Sequence, residues 1–336
     1  MKFSILIPHW KTGKISAYSV AQLLKFKGKH EIDIVVVDNN SGDGSIEYLE
    51  PFMKEITIID YPKDKCQSHG LAFDYILPLV QTEYFITIES DSFPTQDNWL
   101  DYYEKIIENG YDCAGSLLKL SAGEYLHPCG ALYKKSVWQE AKDFVEKIPY
   151  AYFSNMSHIG TFDYHLMVHD DIFDDFVKNP DDYVELAQNY KPYTPLKAID
   201  KLEYYSPVGK GVFHNGIGDR QEHLDTFHLR TIESEKETIF INEKHKLINR
   251  IGCEPGQYFS WWMAAMNKKM FFIPTETKWL PGRENQNQEY TIMCNGFKHL
   301  WGISAYRDGD PSDPVVREKQ MMPEILYATL PDNQKM

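Results

Sequence analysis

Asp33-Ile34-Val35-Val36-Val37-Asp38-Asn39-Asn40-Ser41-Gly42-Asp43-Gly44 decides the fold of this chain. Ile34 to Val37 are β-branched and uninterrupted, the signature of a strand buried on both faces rather than one alternating between core and water. The run stops on a polar turn containing two glycines. Upstream, Phe3-Ser4-Ile5-Leu6-Ile7 is a second such strand, ended by Pro8, and 15–27 has Val20, Leu23 and Leu24 at helical spacing. Downstream, Ile46, Leu49, Phe52 and Met53 share one helical face. Ile56-Thr57-Ile58-Ile59 and Tyr84-Phe85-Ile86-Thr87-Ile88 read as two more strands. Between these last two, a helix over 67–80 is predicted, bent or ended by Pro78. Asp97 is placed to cap a further helix carrying Leu100, Tyr103 and Ile107, with Gly110 as its stop.

Strand and helix therefore alternate four times in the first 110 residues. That order predicts an α/β fold with a mostly parallel central sheet flanked by helices. Ligands of such sheets bind beyond the carboxyl ends of the strands, so the polar residues just past the first, second and fourth strands are candidates. The alternation then weakens. Residues 111–118 read as a strand, 132–146 as a strand edge running into a helix, 257–268 as a helix and 270–273 as a strand. The linear partition is 1–140 for the alternating half, 141–310 for an α+β region with insertions, and 311–336 for an irregular tail with several prolines.

Composition narrows the classes. Hydrophobic residues make up 43% of 336, enough for a sizeable core. The net charge of -14 argues against broad binding of nucleic acid. Five scattered cysteines without a CxxC pair read as reduced thiols of a cytoplasmic protein. No leader peptide is expected from the first residues, and no apolar stretch is long enough to span a bilayer. The 22 tyrosines fit core packing, or a platform for sugar rings.

Glu89-Ser90-Asp91 closes the fourth strand. Residues i and i+2 of a strand share a face, so two carboxylates can hold a hard divalent cation there; the alternative is a solvated turn before Pro94. The ordered set of strand one with Pro8, strand two with its Asp-Asn-Asn-Ser-Gly-Asp-Gly turn, and Glu89-Ser90-Asp91-Ser92-Phe93-Pro94 resembles the glycosyltransferase family 2-like enzymes of GT-A fold, over roughly the first 140 residues.

The resemblance implies a Rossmann-like nucleotide-binding half and an acceptor region. It also implies a divalent cation, Mn²⁺ or Mg²⁺, and transfer of a sugar from a nucleotide-diphosphate sugar, UDP-sugars first, to a carbohydrate or other hydroxyl. Pro8, His9 and Trp10 would lie at the base and ribose, Asp38 and Asn40 beside them, and His69 and Ser90 along the donor. Asp91 would bind the metal, with Glu89 at the first acidic position, where the family has Asp. Gly115 and Gly130-Ala131-Leu132-Tyr133 look like the segment lining the acceptor side, where glycine admits a close approach.

The family's catalytic carboxylate at a helix start and its later metal-side histidine have two placements here. One is Asp163 with His214, at the more usual distance from the acidic triplet. The other is Glu254 with His299, which preserves the order carboxylate, helix, strand, histidine but needs an insertion. Our reading favours His214 for the metal and leaves both carboxylates open. His165 and His169 stand i, i+4 beside Asp170 and Asp171 and read as one solvated helix, since the Glu of a zinc-protease motif is missing. Two other classes stay in view: a sugar-phosphate nucleotidyltransferase, against which the segment 8–14 offers only one glycine, and a non-catalytic sugar- or nucleotide-binding module.

Overall fold

The computed structural model describes residues 1–62, 67–120, 123–146, 154, 157–167, 169–183, 202–206, 209–213, 250–252, 255–279 and 289–300. In chain order these form β1 (Lys2–His9), α1 (Gly13–Lys25), β2 (Glu31–Asp38), β3 (Ile56–Asp60), α2 (His69–Ile76), β4 (Tyr84–Thr87), β5 (Ser92–Pro94), α3 (Trp99–Glu108) and β6 (Cys113–Gly115). They continue with β7 (Leu117–Leu120), β8 (Gly123–Leu126), β9 (Ala131–Lys134), α4 (Lys135–Val145), β10 (His158–Ile159), β11 (Tyr164–Met167) and α5 (Asp170–Lys178). The remainder are β12 (Leu202–Ser206), β13 (Gly209–Phe213), β14 (Arg250–Gly252), α6 (Gln257–Ala265), β15 (Met270–Phe272), β16 (Thr275–Trp279), β17 (Glu289–Met293) and β18 (Phe297–Leu300).

The chain divides into two compact units. The first comprises 1–116, 128–135 and 272–336, and the second 117–127 and 136–271. In the first unit the main sheet runs β6-β9-β4-β1-β2-β3, and Ile273 continues its β6 edge by donating to Gly115 O at 2.8 Å. β1 pairs in parallel with both β2 and β4, and β2 with β3, as the uninterrupted apolar runs require. β9 pairs antiparallel with β4 and β6. The core gathers Phe3, Ile5 and Ile7 from β1, Val36 from β2 and Ile86 from β4. It also takes Val20 and Leu23 of α1, Phe73 of α2, and Trp99 and Tyr103 of α3. A second, antiparallel sheet runs β16-β17-β18-β5. In it three residues after the acidic triplet pair with a segment some 200 positions later: Ser92 with His299, Phe93 with Lys298, Pro94 with Phe297.

In the second unit α4 is held by Trp138, whose indole N–H donates to Thr161 Oγ1 at 2.8 Å. Tyr164 of β11 stacks on Tyr258 of α6 at 3.9 Å between centroids, and Ser260 Oγ accepts the Leu126 N–H at 2.9 Å.

Several expectations change. The segment after Gly44 is a 3₁₀ stretch, Ser45–Phe52, with Pro51 inside; the proline lacks the N–H an α-helix needs, and Met53 is exposed. The helix at 67–80 is α2 followed by a 3₁₀ turn over Leu77–Leu79, where Pro78 falls. Asn98, not Asp97, occupies the cap of α3, without a side-chain cap bond. His165 lies on β11 and His169 precedes α5, so the two do not share a helix face. Asp163 precedes a strand rather than opening a helix; its carbonyl accepts from Gly160 N–H at 2.9 Å. His214, Glu254 and the tail 311–336 lie outside the described residues.

Candidate functional site

Register places the site. His9 is level with Asp38, Asp38 with Asp60, and Leu6 with Thr87, so β1 to β4 end along one edge of the sheet. Backbone bonds lock that edge: Asn39 N–H to His9 O at 2.8 Å, Tyr61 N–H to Asp38 O at 2.9 Å, and Ile88 N–H to Leu6 O at 3.0 Å.

On the β1–β2 side, the Asp38 carboxylate accepts the Ser41 hydroxyl at 2.5 Å, closing the turn around itself. Asn39 exchanges two bonds with the Gln67 backbone, at 2.7 and 3.0 Å, tying this turn to the segment before α2. Asn40 has φ 65°, a conformation asparagine tolerates better than most side chains. Trp10 is half-buried with the Lys11 ammonium 5.5 Å from its ring centroid. His69 is the first residue of α2, and Ser68 caps that helix by accepting Leu71 N–H at 3.2 Å.

Pro8 and His9 are buried. The His9 ring spends both nitrogens on the protein: Nδ1 meets Ser16 Oγ at 2.9 Å and Nε2 meets Ser45 Oγ at 3.0 Å. Both ring nitrogens are therefore committed within the protein.

At the end of β4, Glu89, Asp91 and His299 come together, with one ligand atom from each within 4.8 Å of the others. His299 Nε2 stands 3.1 Å from Glu89 Oε2 and 3.6 Å from Asp91 Oδ1. β18 delivers the histidine, and Leu300 N–H donates to Asp91 O at 3.2 Å. Asp91 is 1% exposed. A carboxylate that deep needs a positive partner, and two carboxylates with an imidazole are a donor set suited to Mn²⁺ or Mg²⁺. The residues therefore fit a divalent cation. His299 reaches the acidic triplet, and His214 lies outside the described residues.

Cys129, which sequence reasoning passed over, lies against this cluster, its Sγ 2.6 Å from Ser92 Oγ. Burial pushes its thiol up, so it stays protonated at neutral pH. Burial also works against the His299 imidazolium, yet Cys129 and Glu89 together raise it well above 6.5. No sequence motif marks Cys129; its neighbourhood arises from β9 and β18 meeting at β4 and β5.

Gly130 has φ 70°, and a Cβ there would lie 2.7 Å from the Phe297 ring. The close approach read as room for an acceptor sugar is taken by Phe297. Gly115 and Ala131–Tyr133 are buried members of β6 and β9.

Residues 4–127 match the family model described as Glycosyl transferase family 2. That match takes in β1 to β8 with α1 to α3 between them, a little over a third of the chain. Among solved structures, a mannosyltransferase from Pyrobaculum calidifontis in complex with GDP-Man and Mn²⁺ is 12% identical over 41% of this chain and 46% of its own, with a TM-score of 0.36. TarS 1–349 of S. aureus in complex with UDP-GlcNAc is 16% identical over 43% and 48%, also at 0.36. The chain spans about half the length of these proteins. No curated protein matches it. Among the described residues no helix is long and apolar enough to cross a membrane.

Proposed function

We propose that this chain is a divalent-metal-dependent glycosyltransferase that moves a sugar, a hexose or a relative, from a nucleotide-diphosphate donor to an acceptor hydroxyl. The observation that carries this is the Glu89–Asp91–His299 cluster at the end of β4, on the same sheet edge as Asp38. A cation held there would supply charge stabilisation for a departing diphosphate. Glu89, Asp91 and His299 are the proposed ligands. Asp38, Asn40, Trp10, His69 and Ser90 are the proposed donor contacts, with Asp38 and the turn after β2 on the base and ribose. Pro8 shapes the floor of that edge. UDP-sugars are the first donors to try, and a carbohydrate hydroxyl the first acceptor.

Glu254 is the proposed base. Asp163 lacks the helix start that would favour its ionised form. Glu254 stands directly before Pro255-Gly256 and α6, with β15 following, which keeps the order expected of the family.

The test is a panel of nucleotide sugars with Mn²⁺ or Mg²⁺, read as free nucleoside diphosphate. One donor should be turned over, slowly by water alone. EDTA should stop the reaction, and Asp91→Asn should lower turnover by about two orders of magnitude or more. Activity that survives both chelation and Asp91→Asn removes the metal from the mechanism. Release of pyrophosphate from a nucleoside triphosphate plus sugar phosphate would instead mark a nucleotidyltransferase.

A further inference from the structure

Five buried polar residues of the first unit form one continuous chain of hydrogen bonds. Thr12 Oγ1 donates to Ser90 Oγ at 2.9 Å, and Thr12 Oγ1 and Ser16 Oγ are 3.1 Å apart. Ser16 Oγ meets His9 Nδ1, and His9 Nε2 meets Ser45 Oγ. The chain begins where the polar turn after β2 ends and finishes at the middle residue of the acidic triplet. Gly13 permits the approach: a Cβ there would sit 2.5 Å from Ser45 O, so only glycine lets the start of α1 press on that segment.

Proton counting fixes its direction. A hydroxyl has one hydrogen to give. Thr12 gives its own to Ser90, so in the Thr12–Ser16 bond Ser16 must be the donor. Ser16 has then no hydrogen left for His9, so it accepts from Nδ1–H. A neutral imidazole that donates at Nδ1 accepts at Nε2, so Ser45 donates to Nε2. Every bond runs one way, from Ser45 through His9, Ser16 and Thr12 to Ser90. Bonds in such a series polarise one another, and each buried member depends on its neighbour for satisfaction. Ser90, filled on its acceptor side by Thr12, has its own hydrogen for another oxygen; in a donor site that is an anionic diphosphate oxygen.

We propose that His9 is a positioning residue of the donor site, held as the Nδ1–H tautomer so that it aligns a one-way hydrogen-bond chain from the turn after β2 to the acidic triplet. The donor-site role rests on the proposed function; the tautomer does not. Burial lowers the His9 pKa, which agrees with a neutral ring.

The spectroscopic test uses the full chain labelled with ¹⁵N-histidine at neutral pH. Long-range ¹H–¹⁵N spectra should show a pyrrole-type Nδ1 and a pyridine-type Nε2 for His9. The signal is assigned by its loss in His9→Asn or His9→Gln, or by its shift in Ser16→Ala. The opposite tautomer, an imidazolium or an average of tautomers overturns the proposal.

The kinetic test uses the same two variants. Asn places an N–H where Nδ1 stood and reaches only Ser16; Gln places an acceptor where Nε2 stood and reaches only Ser45. His9→Asn should raise the donor KM severalfold with kcat near wild type, because the link to the turn is lost. His9→Gln should lower kcat severalfold with a smaller change in KM, because the link to Ser90 is lost. Equal losses in both variants that track a fall in Tm would leave His9 a packing residue and overturn the positioning role. A wild-type protein that turns over no nucleotide sugar overturns the functional reading and the donor-site role with it, while the spectrum still decides the tautomer.

Discussion

At the scale of single residues, His9 gives a stability signature with a definite sign. Burial pushes its pKa below 6.5, and the charges of Asp38 and Asp43 oppose that only in part. Between 6.5 and the lowered value the unfolded chain binds a proton that the folded chain does not, so stability falls as pH drops through this window. The slope for one proton is at most about 1.4 kcal/mol per pH unit. Urea unfolding from pH 7 downward should show this loss, and His9→Gln should remove one proton's share of it; an unchanged slope would mean that His9 is not the group responsible. The catalytic base is decided at the same scale. Glu254→Gln should bind donor normally yet lose about a hundredfold or more in transfer, and Asp163→Asn should keep transfer, since a general base acts only in the chemical step. The opposite pattern would return the role to Asp163. What was legible here from sequence was chemistry carried by short motifs: Asp38 ends β2, while Glu89 and Asp91 lie not on β4 but in the turn between β4 and β5, closed by Ser92 N–H to Glu89 O at 3.1 Å. What was not legible was orientation. His9 stands in a motif position beside Trp10, yet its ring turns inward to Ser16 and Ser45, and nothing in the local pattern tells one direction from the other.

At the scale of elements, the strands that declared themselves were those whose neighbours are also close in sequence. β1 to β4 are β-branched runs separated by helices, and parallel pairing follows from that order. β5 and β18 are short, and β5 is a strand because β18 pairs with it across some 200 residues. No window of sequence contains both. Asp163 was misplaced for a related reason: Tyr164 to Met167 can turn as a helix, and pairing with β10 and β14 makes it a strand. Gly130 tests how tightly these elements close on one another. It bonds Thr87 O through its N–H at 2.8 Å, and its carbonyl accepts the Tyr103 hydroxyl at 2.5 Å. It adopts φ 70°, with the Phe297 ring in the place of a side chain. An alanine there takes on a left-handed backbone, about 1–2 kcal/mol, and must also displace Phe297. Gly130→Ala should lower the unfolding free energy by about 2–4 kcal/mol in denaturant titration. Because Phe297 and His299 share β18, the same variant should weaken Mn²⁺ binding as well. Unchanged stability would mean that β9 and β18 have room to separate.

At the scale of the whole chain, the proposed metal cluster joins segments far apart in sequence. Glu89 and Asp91 arrive with β4, while His299 arrives on a strand near the end of the described residues, after the chain has left the first unit and come back. In an unfolded chain these three groups are separated by a loop of about 200 residues, whose closure is entropically unfavourable. A cation that needs all three therefore binds the folded chain far better than the unfolded one, and by mass action it stabilises the fold. At a hundredfold excess over its Kd, Mn²⁺ should add about 2.7 kcal/mol, or roughly 5–10 °C in the melting temperature of a domain this size. The shift should grow with the logarithm of Mn²⁺ concentration and reverse with EDTA. It should vanish in Asp91→Asn and shrink in His299→Ala, because that variant leaves only the local Glu89–Asp91 pair, which can bind without the fold being closed. The His299→Ala comparison separates a cation that bridges distant segments from one that sits on a surface turn. An equal shift in wild type and His299→Ala would show that β18 brings no ligand, and the cluster would reduce to two carboxylates at a strand end.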